Sequence, residues 1–441
     1  MHPALLAGLV SGIVSALVTS GVWVGVYFVA VKSDATTTTM APTTTSIPPL
    51  TSSMPSTQLP PSVSSSSSQS STMSSPSTQP PPPTPSIYEA GTTTPRPPPP
   101  TQPPIPPSTP CMSSCEFHYA ESIPYNLTYA HGSVKDSTID HWQRLLAISN
   151  KSIDIASYYW SLLPNDVDGA DYSAEPGTAI FNNLMAAGKR GVAIRIAQNY
   201  QEGGYPDTIM LEKQNLAQVR TLNFDDWLGG GILHTKFWNV DGQHFYVGSA
   251  NLDWRSLTQV KELGVVVYNC PCLSMDLNKI FEVYWTMGIP NQKLPGSWPN
   301  SLATMYNAQL PHFVQLNSEQ SAVYLSSSPP PFLPQGRQND LTAIQLVIQN
   351  AKKFVNIAVM DYVPATLYQQ ENVYWSEIDN ALRHAAYDRF ITVRLLMSKW
   401  PHTSKEFFGF LNSLADINDH TPCQSFVNRT CVNPGAVQVK I

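Results

Sequence analysis

The sequence predicts an α/β protein of two similar halves, set behind an apolar N-terminal segment and a long stalk. Three observations predict it. "KSIDIASYYW" (151–160) is matched by "KFVNIAVMDY" (353–362), each a β-branched run suited to a buried strand. "IFNNLMAAGKRGVAIRIA" (180–197) is matched by "EIDNALRHAAYDRFITVRLL" (377–396), in which an amphipathic helix leads into an apolar strand carrying Arg195 or Arg394. The order strand, helix, strand recurs about 200 residues apart, the pattern of a sheet flanked by helices in each half.

From the N-terminus, Pro3 to Val31 has no charged residue and is long enough to cross a bilayer, whereas a cleaved signal has an apolar core of about 7 to 15 residues. Residues 1–34 are therefore expected to be a signal-anchor transmembrane helix of a single-pass membrane protein. Gly8, Gly12, Ala16 and Ser20 recur at every fourth position, as in helices that approach closely, but an ordinary glycine-rich membrane helix is the simpler reading. Residues 35–110 are almost entirely Thr, Ser and Pro, with Glu89 and Arg96 as the charged side chains, so they have nothing from which to build a core. A disordered, extended and O-glycosylated stalk is expected there. The chain then turns globular: 111–317 reads as the first half and 318–441 as an incomplete second half.

Composition points to an oxidising lumen. Asn126-Leu-Thr, Asn150-Lys-Ser and Asn428-Arg-Thr are N-glycosylation acceptors, all beyond the stalk. The six cysteines, Cys111, Cys115, Cys270, Cys272, Cys423 and Cys431, are even in number and absent from the apolar segment. Neither a Cys-x-x-Cys pair nor a histidine at finger spacing exists, which favours disulfides over zinc. Cys423 and Cys431 are near enough in sequence to staple a local loop. The other two pairs join the start of the domain to the Cys-Pro-Cys segment, with connectivity left open.

Chemistry concentrates in "HTKFWNVDGQHFYVGSAN" (234–251). If 232–239 is extended, His234 and Lys236 share one strand face. Asp241-Gly242 signals a two-residue hairpin turn, so positions summing to 483 pair and His234 lies opposite Ser249. Gly248 then leaves room for a bound group to approach the backbone. An imidazole, an ammonium, a hydroxyl and an amide gathered in this way suit a phosphodiester. A neutral imidazole attacks phosphorus, while Lys236, Ser249 and Asn251 donate to the oxygens on which charge develops. No carboxylate cluster is offered for magnesium, so the expected chemistry needs no metal and no cofactor. Six fixed identities in one window recur by chance at roughly one in 100,000 for such a chain, which disfavours a merely structural hairpin.

The spacing His234-x-Lys236-x4-Asp241-x6-Gly248-Ser249-x-Asn251 resembles the HKD motif of the phospholipase D superfamily. The longer stretch "HTKFWNVDGQHFYVGSANLDWRSLTQVKELGVVVYNCPCL", with "SSPPPF" and "VRLLMSKW", resembles the animal type 3 and type 4 phospholipases D. That resemblance implies a duplicated phospholipase D fold in a type II glycoprotein that travels from endoplasmic reticulum and Golgi to endosome and lysosome, its catalytic region lumenal. It implies His234 as nucleophile or acid, Lys236 and Asn251 as phosphate ligands, and a mainly structural Asp241. It also implies that Glu262 orients the imidazole, the alternative being a solvated charge beside Lys261, and that Cys111 and Cys115 pair with Cys270 and Cys272. The substrate class it suggests is single-stranded nucleic acid, cut from the 5′ end. Phospholipid hydrolysis or transphosphatidylation is the alternative, and a binding glycoprotein without turnover is the non-enzyme reading.

One departure stands out. The superfamily's two HKD motifs supply one attacking and one protonating histidine, and this sequence contains a single motif. "AQVR" (217–220) precedes His234 by 14 residues from Arg220, and "VQVK" (437–440) resembles it. The same offset puts a second histidine about 13 residues past Ile441. Three readings follow: a chain that continues, the preferred one; an inactive short form; or a homodimer in which each copy supplies its His234. A net charge of −6 argues against a broad basic track for long nucleic acid but leaves capture of one terminal phosphate open. Outside the motif, His244 reads as a surface or packing residue, Tyr158, Tyr159 and Trp160 offer rings on which bases could stack although core packing beside a strand is the better reading, and His402 has no evident partner.

Overall fold

The computed structural model describes residues 18–20, 23–24, 26–32, 114–130, 132, 135–366, 373–401, 403–427 and 430–441. The stalk, most of the apolar segment, Cys111, His402 and Asn428 lie outside them. In the first half, β1 (Ser114–Ser122), α1 (Thr138–Ile148), β2 (Ser152–Ser157), α2 (Glu175–Lys189), β3 (Ala193–Asn199), α3 (Pro206–Lys213) and β4 (Gln218–Leu222) follow in order. Strands β2, β3 and β4 pair in parallel, with helices as crossovers. Then β5 (Phe237–Val240) and β6 (His244–Gly248) form a hairpin that inserts antiparallel beside β2, and β7 (Glu262–Tyr268) links it to β1. The sheet is therefore mixed, in the order β4-β3-β2-β5-β6-β7-β1.

The hairpin sits in the middle of the sheet because its residues are apolar on both faces. Phe237, Phe245, Val265 and Val267 pack toward α4 (Pro271–Met287) through Leu277, Phe281 and Tyr284. Trp238, Tyr246 and Val266 face the other way, against Trp142 and Leu145 of α1 and Leu184 of α2. Trp142 and Trp238 stack with ring centroids 4.9 Å apart. Burial on both faces is what a strand roofed by helices on each side requires. At the start of α1, Ser137 Oγ accepts from Asp140 N while the Asp140 carboxylate accepts from Ser137 N, fixing the entry to the helix.

β8 (His312–Leu316), at the end of the first half, and β9 (Glu319–Ser327), at the start of the second, extend the main sheet beside β1. After α5 (Asp340–Asn350) come β10 (Phe354–Val359), α6 (Glu377–Tyr387), β11 (Thr392–Met397), α7 (Lys405–Ala415) and β12 (Ala436–Lys440). Strands β10, β11 and β12 form a second parallel sheet whose register repeats the first. Asn356, Arg394 and Gln438 stand abreast as Asp154, Arg195 and Gln218 do. Arg195 forks onto Asp154 at 2.7 and 2.8 Å, and Arg394 Nε donates to Gln438 Oε1 at 3.1 Å. The repeat thus extends to side-chain positions, with Asn356 standing where Asp154 does, while Arg394 bonds to the strand on its other side.

In the described part of the N-terminal segment the backbone is extended rather than helical. Val26–Lys32 pairs antiparallel with β9, Lys32 opposite Ser321 and Val26 opposite Ser327. Among the described residues, no helix is long and apolar enough to cross a membrane. A valine-rich run fits a buried strand as well as a helix, so apolarity alone does not choose between them. Cys115 pairs with Cys270 and Cys423 with Cys431, and Cys272 is disulfide-bonded as well. Asn126 and Asn150 are exposed.

Candidate active site

Parallel strands deliver their ends to one side of a sheet, and here β2 and β3 deliver Tyr158 and Asn199. Asn199 Oδ1 accepts from Leu233 N at 2.8 Å and so fastens the residue before His234. The expected strand over 232–239 is interrupted: Ile232–Leu233 and β5 are strands, and residues 234–236 between them are not. His234 and Lys236 nevertheless meet. Lys236 Nζ lies 2.8 Å from His234 Nδ1 and 3.3 Å from Nε2, and donates to the His234 carbonyl at 2.6 Å. The Tyr158 ring lies 4.8 Å from the imidazole centroid, tilted by 42°, and its face is 5.4 Å from the ammonium.

Burial sets the charges. Lys236 is 3% exposed, and burial holds its ammonium down to about 7 against the opposing pull of Glu262. The His234 imidazole is held well below its ordinary value, first by burial and then by the adjacent Lys236 charge. It is therefore neutral at pH 7 and keeps a lone pair. Burial pushes the Glu262 carboxyl up, an effect reduced by its bond from Ser249 and by Lys236. Glu262 stands at the head of β7, where Ser249 Oγ donates to Glu262 Oε2, and Lys261 turns away to Glu121 at 3.0 Å. The carboxylate is thus partly buried beside Ser249 and Lys236 and is not a solvated partner of Lys261.

Three expectations are corrected. The hairpin turn holds Asp241, Gly242 and Gln243, closed by Gln243 N donating to Val240 O at 3.0 Å, so paired positions sum to 484, as in Phe237 with Val247. His234 therefore does not face Ser249. Asp241 and Gly242 are both left-handed, at φ 57° and 65°, as a two-residue turn requires, and Gln243 is an extra residue between that turn and β6. Second, the Ser249 hydroxyl spends its one proton on Glu262 and accepts from Leu263 N at 3.0 Å, so it positions the carboxylate and has no proton left for a phosphate. Third, Gly248 makes room for the protein itself. A Cβ there would meet the Tyr246 hydroxyl and come within 2.8 Å of Gly264 Cα.

Asp241 lies at the far end of the hairpin from His234. Its carboxylate accepts from the backbone N–H groups of Asn150, Lys151 and Ser152 at 2.9, 2.7 and 2.8 Å, tying the turn to the start of β2. Asn251 N donates to Ser256 Oγ at 3.2 Å; among the described residues, its Oδ1 is buried without a hydrogen-bond partner. A half-turn of that amide presents N–H donors in the same place. His244 accepts from Asn269 N at 3.0 Å, Tyr159 donates to Asp253 at 2.8 Å, and Trp160 is buried. Tyr158, for which core packing is the better sequence reading, instead lies against the His234 ring, and Asn199 was not legible from the sequence. The available signal was their position at the ends of two strands that had to be parallel.

Residues 129–433 match the family described as "PLD3/4, PLD-like domain". The chain belongs to this family. It is 47% identical over 313 residues to the 5′-3′ exonuclease PLD3 of Xenopus laevis, an alignment covering 70% of this chain and 63% of that protein. The 5′-3′ exonuclease PLD3 of Homo sapiens is 43% identical over 335 residues, covering 75% and 68%. Among solved structures, Nuc of Salmonella typhimurium, a phospholipase D family member, is 20% identical with a TM-score of 0.29, covering 39% of this chain and 95% of that one. The chain spans less than two thirds of the Xenopus laevis protein's length. Of the residues in the spacing His234-x-Lys236-x4-Asp241-x6-Gly248-Ser249-x-Asn251, His234 and Lys236 meet at one end of the hairpin, Asp241 ties its far end to β2, and Gly248 packs against Tyr246 and Gly264.

Proposed function

We propose that this chain carries the nucleophilic half of a phosphodiesterase site and that its substrate is single-stranded nucleic acid, attacked from the 5′ end. The carrying observation is the neutral His234 imidazole held against the Lys236 ammonium. A histidine nitrogen attacks phosphorus, the ester oxygen departs with a proton from an acid on the opposite side, and water later cleaves the phosphohistidine. Lys236 supplies charge to the phosphoryl oxygens, and a bound phosphate anion in turn favours the protonated ammonium that burial disfavours. The Tyr158 face beside His234 offers a surface on which a terminal base stacks. The names of the PLD3 relatives support this substrate over a phospholipid.

The same reading makes the chain a type II single-pass glycoprotein whose phosphodiesterase region is lumenal and endolysosomal. Its supports are the uncharged Pro3 to Val31 run, the disulfides Cys115–Cys270 and Cys423–Cys431, and exposed Asn126 and Asn150. The test is the full chain with 5′-hydroxyl single-stranded oligonucleotide or phosphatidylcholine, wild type against His234→Ala. Nucleotide release that falls by at least about 10³-fold in the variant is expected. Activity that survives the substitution refutes the site; lipid cleavage without nucleotide release refutes the substrate. Mixing His234→Ala with wild type at rising concentration reports whether two copies share one site.

A further inference from the structure

On the face of β1 that meets α1, two histidines and an aspartate converge with no part in the phosphodiesterase site. His118 lies on β1, opposite Val266 of β7, which is four residues along that strand from Glu262. At about 3.3 Å per residue that is roughly 13 Å from the acidic end of the site. His141 is in the first turn of α1, and Asp136 directly precedes the Ser137 cap. One ligand atom from each of His118, Asp136 and His141 lies within 4.8 Å of the others.

The outer nitrogens of both rings are engaged. His118 Nε2 meets Glu116 Oε1 at 2.7 Å, and Glu116 is itself gripped by Arg144 at 2.8 and 3.0 Å. His141 Nδ1 meets the Tyr268 hydroxyl at 2.9 Å. That leaves His118 Nδ1, which is 3.9 Å from Asp136 Oδ2, and His141 Nε2. His141 is 2% exposed, and among the described residues its Nε2 is buried without a hydrogen-bond partner. A metal-bound histidine has this arrangement: one nitrogen turned to the ion and the other held by a carboxylate or hydroxyl. Ligands about 2.1 Å from a tetrahedral ion stand about 3.4 Å apart, so the three atoms need to close by little more than 1 Å, roughly.

We propose that His118, Asp136 and His141 bind a zinc-class divalent ion that pins the start of α1 to β1. Two imidazole nitrogens and one carboxylate oxygen select that class over magnesium, which takes oxygen ligands. The ion is structural and lies apart from His234. The test uses the full chain, stripped by chelator, returned to zinc chloride and then held against a competing chelator of micromolar affinity. One zinc per chain and a raised melting temperature are expected. Asp136→Asn and His118→Gln, both at partly exposed positions, are expected to weaken binding at least tenfold and to remove the thermal shift, while the metal-free variants melt with the metal-free wild type. Magnesium chloride gives no shift. Failure to retain stoichiometric zinc, or retention that is equal in both variants, overturns the assignment.

Discussion

Asp241 belongs to the motif by spacing, yet its geometry makes it a clamp, and the two roles separate cleanly under substitution. Its Oδ1 accepts from Lys151 N and Ser152 N, and its Oδ2 from Asn150 N. Asp241→Asn keeps the two bonds to Oδ1 but turns an amide donor onto the Asn150 N–H, so one bond becomes a donor facing a donor. The cost is about 1 to 2 kcal/mol. Asn also tolerates the left-handed φ of 57° at this position. Asp241→Ala loses all three bonds, each worth about 0.5 to 1.5 kcal/mol net at a half-exposed site, and adds about 1 kcal/mol of left-handed strain. Its total is about 3 to 5 kcal/mol. At about 2 °C per kcal/mol for a domain of this size, the melting temperature falls by about 2 to 4 °C for Asn and about 6 to 10 °C for Ala. The assay is thermal unfolding of the full chain at pH 7, followed by circular dichroism. An Ala variant as stable as wild type, or an Asn variant as damaged as Ala, refutes the clamp.

Three further outcomes are expected. Gly248→Ala drives a methyl group into the Tyr246 ring and Gly264 and costs about 1 to 3 kcal/mol in urea unfolding, with a smaller loss in a Tyr246→Phe background because the hydroxyl is gone. Lys236 titrates near 7 in the folded chain but near 10.4 unfolded, so the unfolded state binds more protons between those values and stability rises with pH across them. Relative to Lys236→Met, wild type is expected to gain at least about 1 kcal/mol between pH 7 and 9 by denaturant titration; a parallel pH dependence contradicts the shift. Asp276→Ala strands Arg337, which forks onto that carboxylate at 2.7 and 2.9 Å with both side chains buried, and costs about 3 to 5 kcal/mol. The double change Asp276→Leu with Arg337→Met recovers most of that loss in the same assay.

The sequence made the α/β class and the meeting of His234 with Lys236 legible because each is local: a β-branched run beside a helix period, and a histidine two residues from a lysine. What it concealed came from distance or from one extra residue. Tyr158 reaches the imidazole from 76 residues upstream and Asn199 fastens Leu233 from 34, carried by strands whose adjacency is a property of the sheet. The register slipped by one because Asp-Gly names a turn but not its length, and Gln243 joins it. The spacing of Ser249 fits a donor to phosphate; only the folded chain brings Glu262 to it first.

The bond between Cys115 and Cys270 has a topological consequence. It joins residues 155 positions apart, and Tyr158, Asn199, His234, Lys236, Asp241, Ser249, Asn251 and Glu262 all fall between them. These side chains of the candidate site therefore sit inside one covalent ring. A single peptide cleavage anywhere in that ring, such as in the exposed turn at 165–172, opens the circle without releasing a piece. By the chain-entropy relation, closing a ring of this size disfavours the unfolded state by about 5 kcal/mol. A nicked chain keeps both ends of the break on the same molecule, so surrounding proteases have to cut twice, or a reductant has to act, before the site comes apart.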